Sequence, residues 1–343
     1  MSESTTGLEW LDWLSVPRKL VAISHMNPDG DAIGSCLGLK HLLEPLAHQV
    51  SVIMPTQSPR YMNWAPGFGS ILHADLHLEE CSRLIEEAEG IFCLDFGVLD
   101  RTKSLEAVIR KAPGIVFNID HHIDTEPFAQ FAFCDTEASS TCELVYRLGT
   151  QLERQLERKL ISSASATCLY AGLSTDTGSF RHRNTNSRTL RIAADLVESG
   201  ASVEEINFGL YARQTESKVR LMGFCLQERL RVLPDLHTAF ITLPATDYER
   251  FQVEPGDTEG LVNLALSIEG VNLGVLLVER PDNIRLSFRS FGSFPANELA
   301  AHFGGGGHFN AAGARNTDSL QATESKLLEL LRRYRSQLDY QPF

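Results

Sequence analysis

Carboxylates and imidazoles recur in four short segments whose spacing could serve metal or phosphate chemistry. The first is His25-x-x-x-Asp29-x-Asp31, in a turn-rich stretch that follows the apolar run Leu20–Ser24. A loop leaving a strand can aim three such side chains into one pocket, and the next helix N-terminus favours anions. Asp is also a common helix N-cap. Capping accounts for one acid, Asp31, but not for His25 and Asp29 as well. Asp95 and Asp120 each end an apolar strand, Ile91–Leu94 and Ile115–Ile119. A carboxylate there is either a cap for the next helix or a ligand at the strand-end crevice. Asp120-His121-His122 shifts that balance. One ring can bind a metal while the neighbouring acid orients it, and the next can meet a substrate phosphate. Asp176, in Ser174-Thr175-Asp176-Thr177-Gly178, reads by itself as a cap or a turn residue. A fifth feature is Gly304-Gly305-Gly306-Gly307-His308, followed by Asn310-Ala311-Ala312-Gly313. Consecutive glycines let backbone N–H groups approach an anion. No Lys-Ser/Thr follows, so this is not a Walker loop, and the flanking helix and small residues predict a packed turn rather than a linker.

The elements that must carry these residues follow from hydrophobic periodicity. Strands are expected at Leu20–Ser24, Gln49–Met54, Gly90–Asp95 and Gly114–Asp120, with helices at Ala32–Leu46, Glu79–Ala88 and Arg101–Lys111. This alternation predicts a parallel sheet covered on both faces, with ligands beyond the carboxyl ends of the strands. The middle reads as helical, at Ser140–Leu148, Leu160–Leu173, Thr185–Ser199, Val203–Leu210 and Thr215–Leu230. After Pro234, strands at Thr238–Leu243, Val271–Arg280 and Asn283–Ser290 alternate with helices near Asp257–Ser267, Pro295–Phe303 and Leu320–Leu338.

Composition sets bounds on function. A length of 343 residues predicts two domains, and 43% hydrophobic with 22% charged residues is globular composition. Lys plus Arg total 31 and Asp plus Glu 44, a formal net charge of −13. Extensive contact with long nucleic acid shows a basic footprint, so this balance argues against it while leaving room for a small anionic substrate. No apolar run approaches the ~20 residues that span a bilayer, and the polar start predicts no signal peptide, so a cytoplasmic protein is expected. The seven cysteines lack CxxC spacing and read as reduced core residues.

Taken in order, His25-x3-Asp29-x-Asp31, Asp95, Asp120-His121-His122 and Asp176 resemble the DHH phosphoesterases. Ala32-Ile33-Gly34-Ser35 and Thr177-Gly178-Ser179-Phe180-Arg181 flank them in the same pattern, and the likeness covers about residues 20–315. It implies an α/β protein: a parallel-sheet, Rossmann-like metal-binding catalytic domain over residues 1–190, a helical linker over 191–230 and a smaller α/β DHH-associated substrate-binding domain over 231–343. It implies two divalent metal ions, Mn2+ being usual. One falls to His25, Asp29 and Asp95, and the other to Asp31, Asp95, His121 and Asp176, with Asp95 bridging. Crowded carboxylates repel without cations, and imidazole ligands shift preference away from magnesium. The implied chemistry is in-line hydrolysis of a phosphoester by water activated between the metals. His122 would contact the phosphate or protonate the leaving group, and Asp120 would hold His121 or the local loop. Ser287-Phe288-Arg289-Ser290 and the glycine run resemble the family's substrate-binding motifs, which maps the nucleotide end of the substrate to Arg289, Gly305, Gly306, Gly307 and His308. Arg suits phosphate through its planar fork.

Two stretches depart from the family pattern. Phe294-Pro295-Ala296-Asn297 stands where Asp-Val-Asn is frequent, and Phe96-Gly97 follows Asp95 where a small hydroxyl residue is common. Neither replaces a metal ligand. RecJ-type exonucleases add an OB-fold for which the chain has no room, and family II pyrophosphatases lack the glycine loop. Cyclic-dinucleotide phosphodiesterases usually add membrane and sensor domains. The nanoRNase/pAp-phosphatase group remains, acting on short RNA oligonucleotides or on adenosine 3′,5′-bisphosphate (pAp). The alternatives are a pApA or cyclic-dinucleotide phosphodiesterase and a non-catalytic nucleotide-binding module. The expected partners are these small substrates, with no long nucleic acid, no membrane and a homodimer by resemblance.

Overall fold

The computed structural model describes residues 9–123, 125–254 and 256–339 and divides into two units, Met1–Arg213 and Gln214–Phe343. In the first unit, β1 (Lys19–Ile23), β2 (Gln49–Met54), β3 (Leu72–His73), β4 (Gly90–Leu94), β5 (Ile115–Asp120) and β6 (Phe131–Cys134) form one sheet in the order β3-β2-β1-β4-β5-β6. Every pairing in it is parallel. Alternate residues of β1, β2, β4 and β5 bury on opposite faces. Ala22, Val52, Phe92 and Phe117 join one core, while Val21, Ile53, Ile91 and Val116 join the other. That double burial is why these strands read as continuous apolar runs.

The helices of this unit are α1 (Glu9–Trp13), α2 (Gly30–Leu43), α3 (Leu78–Glu87), α4 (Glu106–Lys111), α5 (Thr141–Leu156), α6 (Ser163–Asp176), α7 (Ser187–Glu198) and α8 (Val203–Asn207). The helix expected over Arg101–Lys111 starts later than its periodicity suggests. Leu99–Leu105 is tight 3-10 winding interrupted at Lys103, whose φ is 53° and ψ −120°. The helices expected over Val203–Leu210 and Thr215–Leu230 both end in wide π-type turns, at Phe208–Ala212 and Cys225–Arg229.

The second unit holds β7 (Leu230–Leu233), β8 (Thr238–Leu243), β9 (Leu273–Glu279), β10 (Ile284–Ser290), β11 (Gly306–His308) and β12 (Ala311–Asn316) in the order β11-β12-β10-β9-β8-β7. The sheet is mixed: β8 and β9 are parallel and the other pairs antiparallel. Its helices are α9 (Glu216–Phe224), α10 (Ala245–Arg250), α11 (Leu261–Leu266), α12 (Ala296–Ala301) and α13 (Leu320–Arg333). Residues of α12 and α13 join one core against the sheet, and residues of α9 and α11 join the other. The glycine run is not only a packed turn, because Gly306–His308 pairs as a strand with Ala311–Gly313. Among the described residues no helix is long and apolar enough to cross a membrane.

Candidate active site

Strands β1 and β4 are neighbours where the strand order reverses. In open α/β sheets, the crevice beyond the carboxyl ends of such strands takes the ligand. The loop after β1 carries His25 and Asp29, Asp31 lies in the first turn of α2, Asp95 follows β4, and Asp120 ends β5 with His121 and His122 just past it. All of them, with Asp176 at the end of α6, belong to the first unit.

The cap of α2 corrects the sequence reading. Asp29, not Asp31, is the N-cap, and its Oδ1 accepts the backbone N–H of Asp31 and of Ala32 at 3.0 Å each. The helix begins at Gly30, earlier than its apolar stripe, so Asp29 meets the unpaired amides. Asp31 lies inside the first turn and reaches α5. Its Oδ2 accepts Thr141 N–H at 2.7 Å and its Oδ1 accepts Cys142 N–H at 2.9 Å. Two amides at a helix N-terminus favour a carboxylate, yet burial and the charges of Asp95 and Asp176 push the Asp31 pKa well above the usual range.

Asp95 sits in the left-handed region (φ 67°), which Asp tolerates better than most residues. Thr141 Oγ1–H donates to its Oδ1 at 3.0 Å. His25 Nε2 lies 3.4 Å from one Asp95 oxygen and His121 Nε2 3.4 Å from the other. Burial pushes the Asp95 carboxyl up, but hydrogen bonds from His121 and His25 outweigh it and hold the group well below its usual range. His121 Nε2 is also 3.9 Å from Asp31 and 3.8 Å from Asp176. Burial lowers the His121 pKa, but the carboxylates of Asp95, Asp176 and Asp31 outweigh it and raise it well above the usual value. Burial lifts Asp176 to about 6 against the pull of His121.

The donor atoms of His25, Asp29 and Asp95 lie within 4.8 Å of one another, and so do those of Asp31, His121 and Asp176. This N/O set of both charge types fits divalent cations. Asp31 and Asp95 are at most 2% exposed, and burying carboxylates together calls for compensating cation charge. The tautomer fits as well. His25 Nδ1 is 2.9 Å from the Met26 carbonyl, so a proton held there leaves Nε2, 3.4 Å from Asp95, as the nitrogen that can ligate a cation.

Asp120 was expected to hold His121 or the loop; its carboxylate instead faces His122. Nδ1–H of His122 donates to Asp120 Oδ1 at 2.7 Å. Adjacent residues leaving a strand project in different directions, so the acid at the end of β5 meets the ring two positions on. Burial lowers the His122 pKa, but Asp120 and Asp95 more than offset this.

Three parts of the site had escaped the sequence. Arg101 Nη1 lies 3.5 Å from His122 Nε2, and the Arg101 carbonyl accepts Met26 N–H at 2.8 Å. The helical periodicity of its segment made it look like surface charge. The amides of Thr141 and Cys142 left no signal, since backbone donors are not written in residue type. Asn184 Nδ2 donates to the carbonyls of Ser139 (2.8 Å) and Asp176 (3.2 Å), joining the start of α5 to the end of α6. Beside it, fully buried Glu143 accepts Ser139 N–H and Oγ–H and lies 2.6 Å from Arg188 Nε.

In the second unit, Arg289 pairs across the sheet with Ala311, and its Nη1–H donates to the Phe288 carbonyl at 3.0 Å. The glycines differ in their demands. A Cβ on Gly305 would fall 2.1 Å from the Gly313 carbonyl oxygen, and one on Gly307 2.6 Å from that of Ala311. These two let the strands close, while a Cβ on Gly306 would meet nothing within 4 Å. Asn310 Nδ2 donates to Ser290 Oγ at 2.9 Å, tying the hairpin tip to the end of β10.

The profile of the DHH family's N-terminal domain matches residues 19–173, and that of the DHHA1 domain matches residues 237–338. The chain is also 32% identical over 311 residues to the bifunctional oligoribonuclease and PAP phosphatase NrnA of Thermus thermophilus, covering 90% of this chain and 88% of that one. The chain belongs to the DHH family. Among solved DHH-like structures, an exopolyphosphatase-related protein from Bacteroides fragilis is 36% identical, with a TM-score of 0.91 over 98% of this chain and 99% of that one. RecJ of Thermus thermophilus, solved in complex with Mn2+, shares the fold at 13% identity and a TM-score of 0.56, over 98% of this chain and 55% of that one.

Proposed function

We propose that this DHH-family chain is a two-cation phosphoesterase that releases mononucleotides from short oligoribonucleotides and removes the 3′-phosphate of pAp. The observation that carries this reading is the convergence of His25, Asp29, Asp31, Asp95, His121 and Asp176 at the sheet's switch point, with Asp95 between His25 and His121. The likeness to an oligoribonuclease and PAP phosphatase over most of both chains supports the substrate class. A non-catalytic descendant would be free to lose a ligand, and all six side chains are retained.

His25, Asp29 and Asp95 would hold one cation, and Asp31, Asp95, His121 and Asp176 the other. When bound, the two cations supply Lewis-acid charge at the phosphoryl group and acidify water near neutral pH. The mixed imidazole and carboxylate set makes Mn2+ the metal of choice. The protein's own part is positioning. Asp120 holds a His122 proton at Nδ1 and favours the imidazolium, whose Nε2–H would then serve the phosphoryl or leaving oxygen. Arg289, Gly305, Gly306, Gly307 and His308 take the nucleotide end of the substrate. The seven thiols are unpaired, six of them buried, which suits work in a reducing cytoplasm. A homodimer is part of this reading.

The test is mononucleotide release from 5′-phosphorylated di-, tri- and pentaribonucleotides and phosphate release from pAp, with pApA alongside. Release that weakens with length supports the reading. Exclusive turnover of pApA would replace it with a dinucleotide phosphodiesterase.

A further inference from the structure

Strand β5 is apolar except at Asn118 and Asp120. Phe117 and Ile119 join one core and Val116 the other, so Asn118 and Asp120 lie on the face of Val116. Asn118 is 4% exposed and Asp120 0%. Asn is disfavoured in strands, and a buried amide destabilises unless its polar atoms are met, so Val or Leu at this position would serve folding better. Two buried oxygens on this face meet no hydrogen-bond donor among the described residues, Asn118 Oδ1 and Asp120 Oδ2. The other Asp120 oxygen is the one that accepts Nδ1–H of His122, at 2.7 Å. In β6, Ala132 pairs with Asn118 and Cys134 with Asp120. Both β6 residues are exposed, so solvent reaches the edge of this face.

We propose that Asn118 is a positioning residue for the Asp120–His122 pair, acting through one buried water whose two O–H groups donate to Asn118 Oδ1 and Asp120 Oδ2. The proposal rests on the reading of His122 under the proposed function and adds the residue that holds the acid behind that ring. The hydrogen count selects the occupant. Two acceptors need two donor hydrogens, and one water carries both. The reach fits as well. Residues two apart on a strand are about 6.6 Å apart at Cα, and a bridging water joins oxygens up to about 5.6 Å apart. With Oδ2 tied to the strand, the carboxylate keeps Oδ1 on His122. Untied, it turns about its broad terminal torsion, and the ring loses its fixed partner. Asn118 itself touches no reacting atom in this arrangement.

The near-isosteric pair Asn118→Val and Asn118→Thr tests the proposal. Both replacements favour strands, and only Thr keeps a hydroxyl that can hold the water. Asn118→Val should unfold at a urea midpoint no lower than that of wild type, because it removes a buried amide. It should nevertheless lose about 3–10-fold in kcat on pAp, the worth of one hydrogen bond, with KM within about twofold of wild type. Asn118→Thr should keep a kcat at least about twofold above that of Asn118→Val. In a His122→Ala background Asn118→Val should bring no further loss, because it acts only through that ring. A high-resolution crystal structure of the wild-type chain should show a water within about 3.2 Å of both oxygens. Wild-type kcat in Asn118→Val, a fall in stability that parallels the fall in kcat, the same loss in the His122→Ala background, or a crystal structure without that water would overturn the proposal. A wild-type chain that hydrolyses neither pAp nor oligoribonucleotides would instead overturn the proposed function, and the crystal structure then decides the water by itself.

Discussion

The carboxylate of Asp120 accepts a hydrogen bond from Nδ1–H of His122 across 2.7 Å, and Asp120 is fully buried. The acid therefore sets the tautomer of a ring that is outside both proposed ligand sets. Asp120→Asn should lower kcat about 10–100-fold while leaving cation affinity near that of wild type. His122→Ala should cost at least as much, and the double variant no more than His122→Ala, because the pair acts as a unit. Steady-state kinetics on pAp checks this, and independent, multiplicative losses would contradict it.

Arg101 stands 3.5 Å from the other nitrogen of that ring. A guanidinium there is placed to pair with a phosphoryl oxygen, a charge-assisted contact of about 1.5–3 kcal/mol. Arg101→Met should reduce kcat/KM by about 10–150-fold and leave stabilisation by Mn2+ intact. Arg101→Lys should recover only part of the loss, since it keeps the charge without the fork. Full activity in the Met variant would remove Arg101 from the site.

Protonation of the crevice competes with cations. Burial lifts Asp176 to about 6 and, with its acidic neighbours, lifts Asp31, while the carboxylates lift His121. Each group binds its proton more tightly when folded. In metal-free protein each therefore contributes stability that is lost as pH rises, for Asp176 between about pH 4 and about pH 6 and for His121 above about pH 6.5. Buried His48 and half-buried His73 have lowered pKa values and act in the opposite sense, but they lie outside the ligand sets and cancel between metal-free and loaded samples. Cation binding must expel the protons of the ligands. The rise in Tm on adding Mn2+ to chelated protein should thus grow from about pH 5.5 to about pH 7.5. A rise independent of pH would mean that these groups are not ligands.

Glu143 has no exposure and depends on Arg188, whose side chain is 42% exposed. Arg188→Ala would leave a buried carboxylate with only the Ser139 donors. It should destabilise the metal-free chain by about 1–3 kcal/mol in a urea titration. Because Ser139 precedes the amides that hold Asp31, Mn2+ affinity should fall as well. Unchanged stability would show that the pair contributes nothing measurable.

The sequence disclosed most of this site because its chemistry lies in side chains at strand ends. His25, Asp95 and Asp120 all stand at or just past apolar runs that the parallel sheet buries on both faces. The cap of α2 was misplaced because Gly30 and Asp31 continue the helix ahead of its apolar stripe, so periodicity started the helix too late. The Asp120–His122 pairing depends on how the chain turns after β5, and Arg101 on the 3-10 winding before α4, and neither geometry is encoded in spacing. Short strands such as β3, with two residues, and β11, built largely of glycine, carry no propensity signal and form because neighbouring strands offer hydrogen bonds.

The most direct measurement is product release in the presence of Mn2+ by wild type and by Asp95→Ala, on pAp and on 5′-phosphorylated oligoribonucleotides of increasing length. Asp95 lies 3.4 Å from both His25 and His121, so its loss should disable both cation sites at once. The account predicts mononucleotide release by wild type that fades with length, phosphate release from pAp, and neither from Asp95→Ala. Hydrolysis by Asp95→Ala at the wild-type rate would contradict the two-cation site.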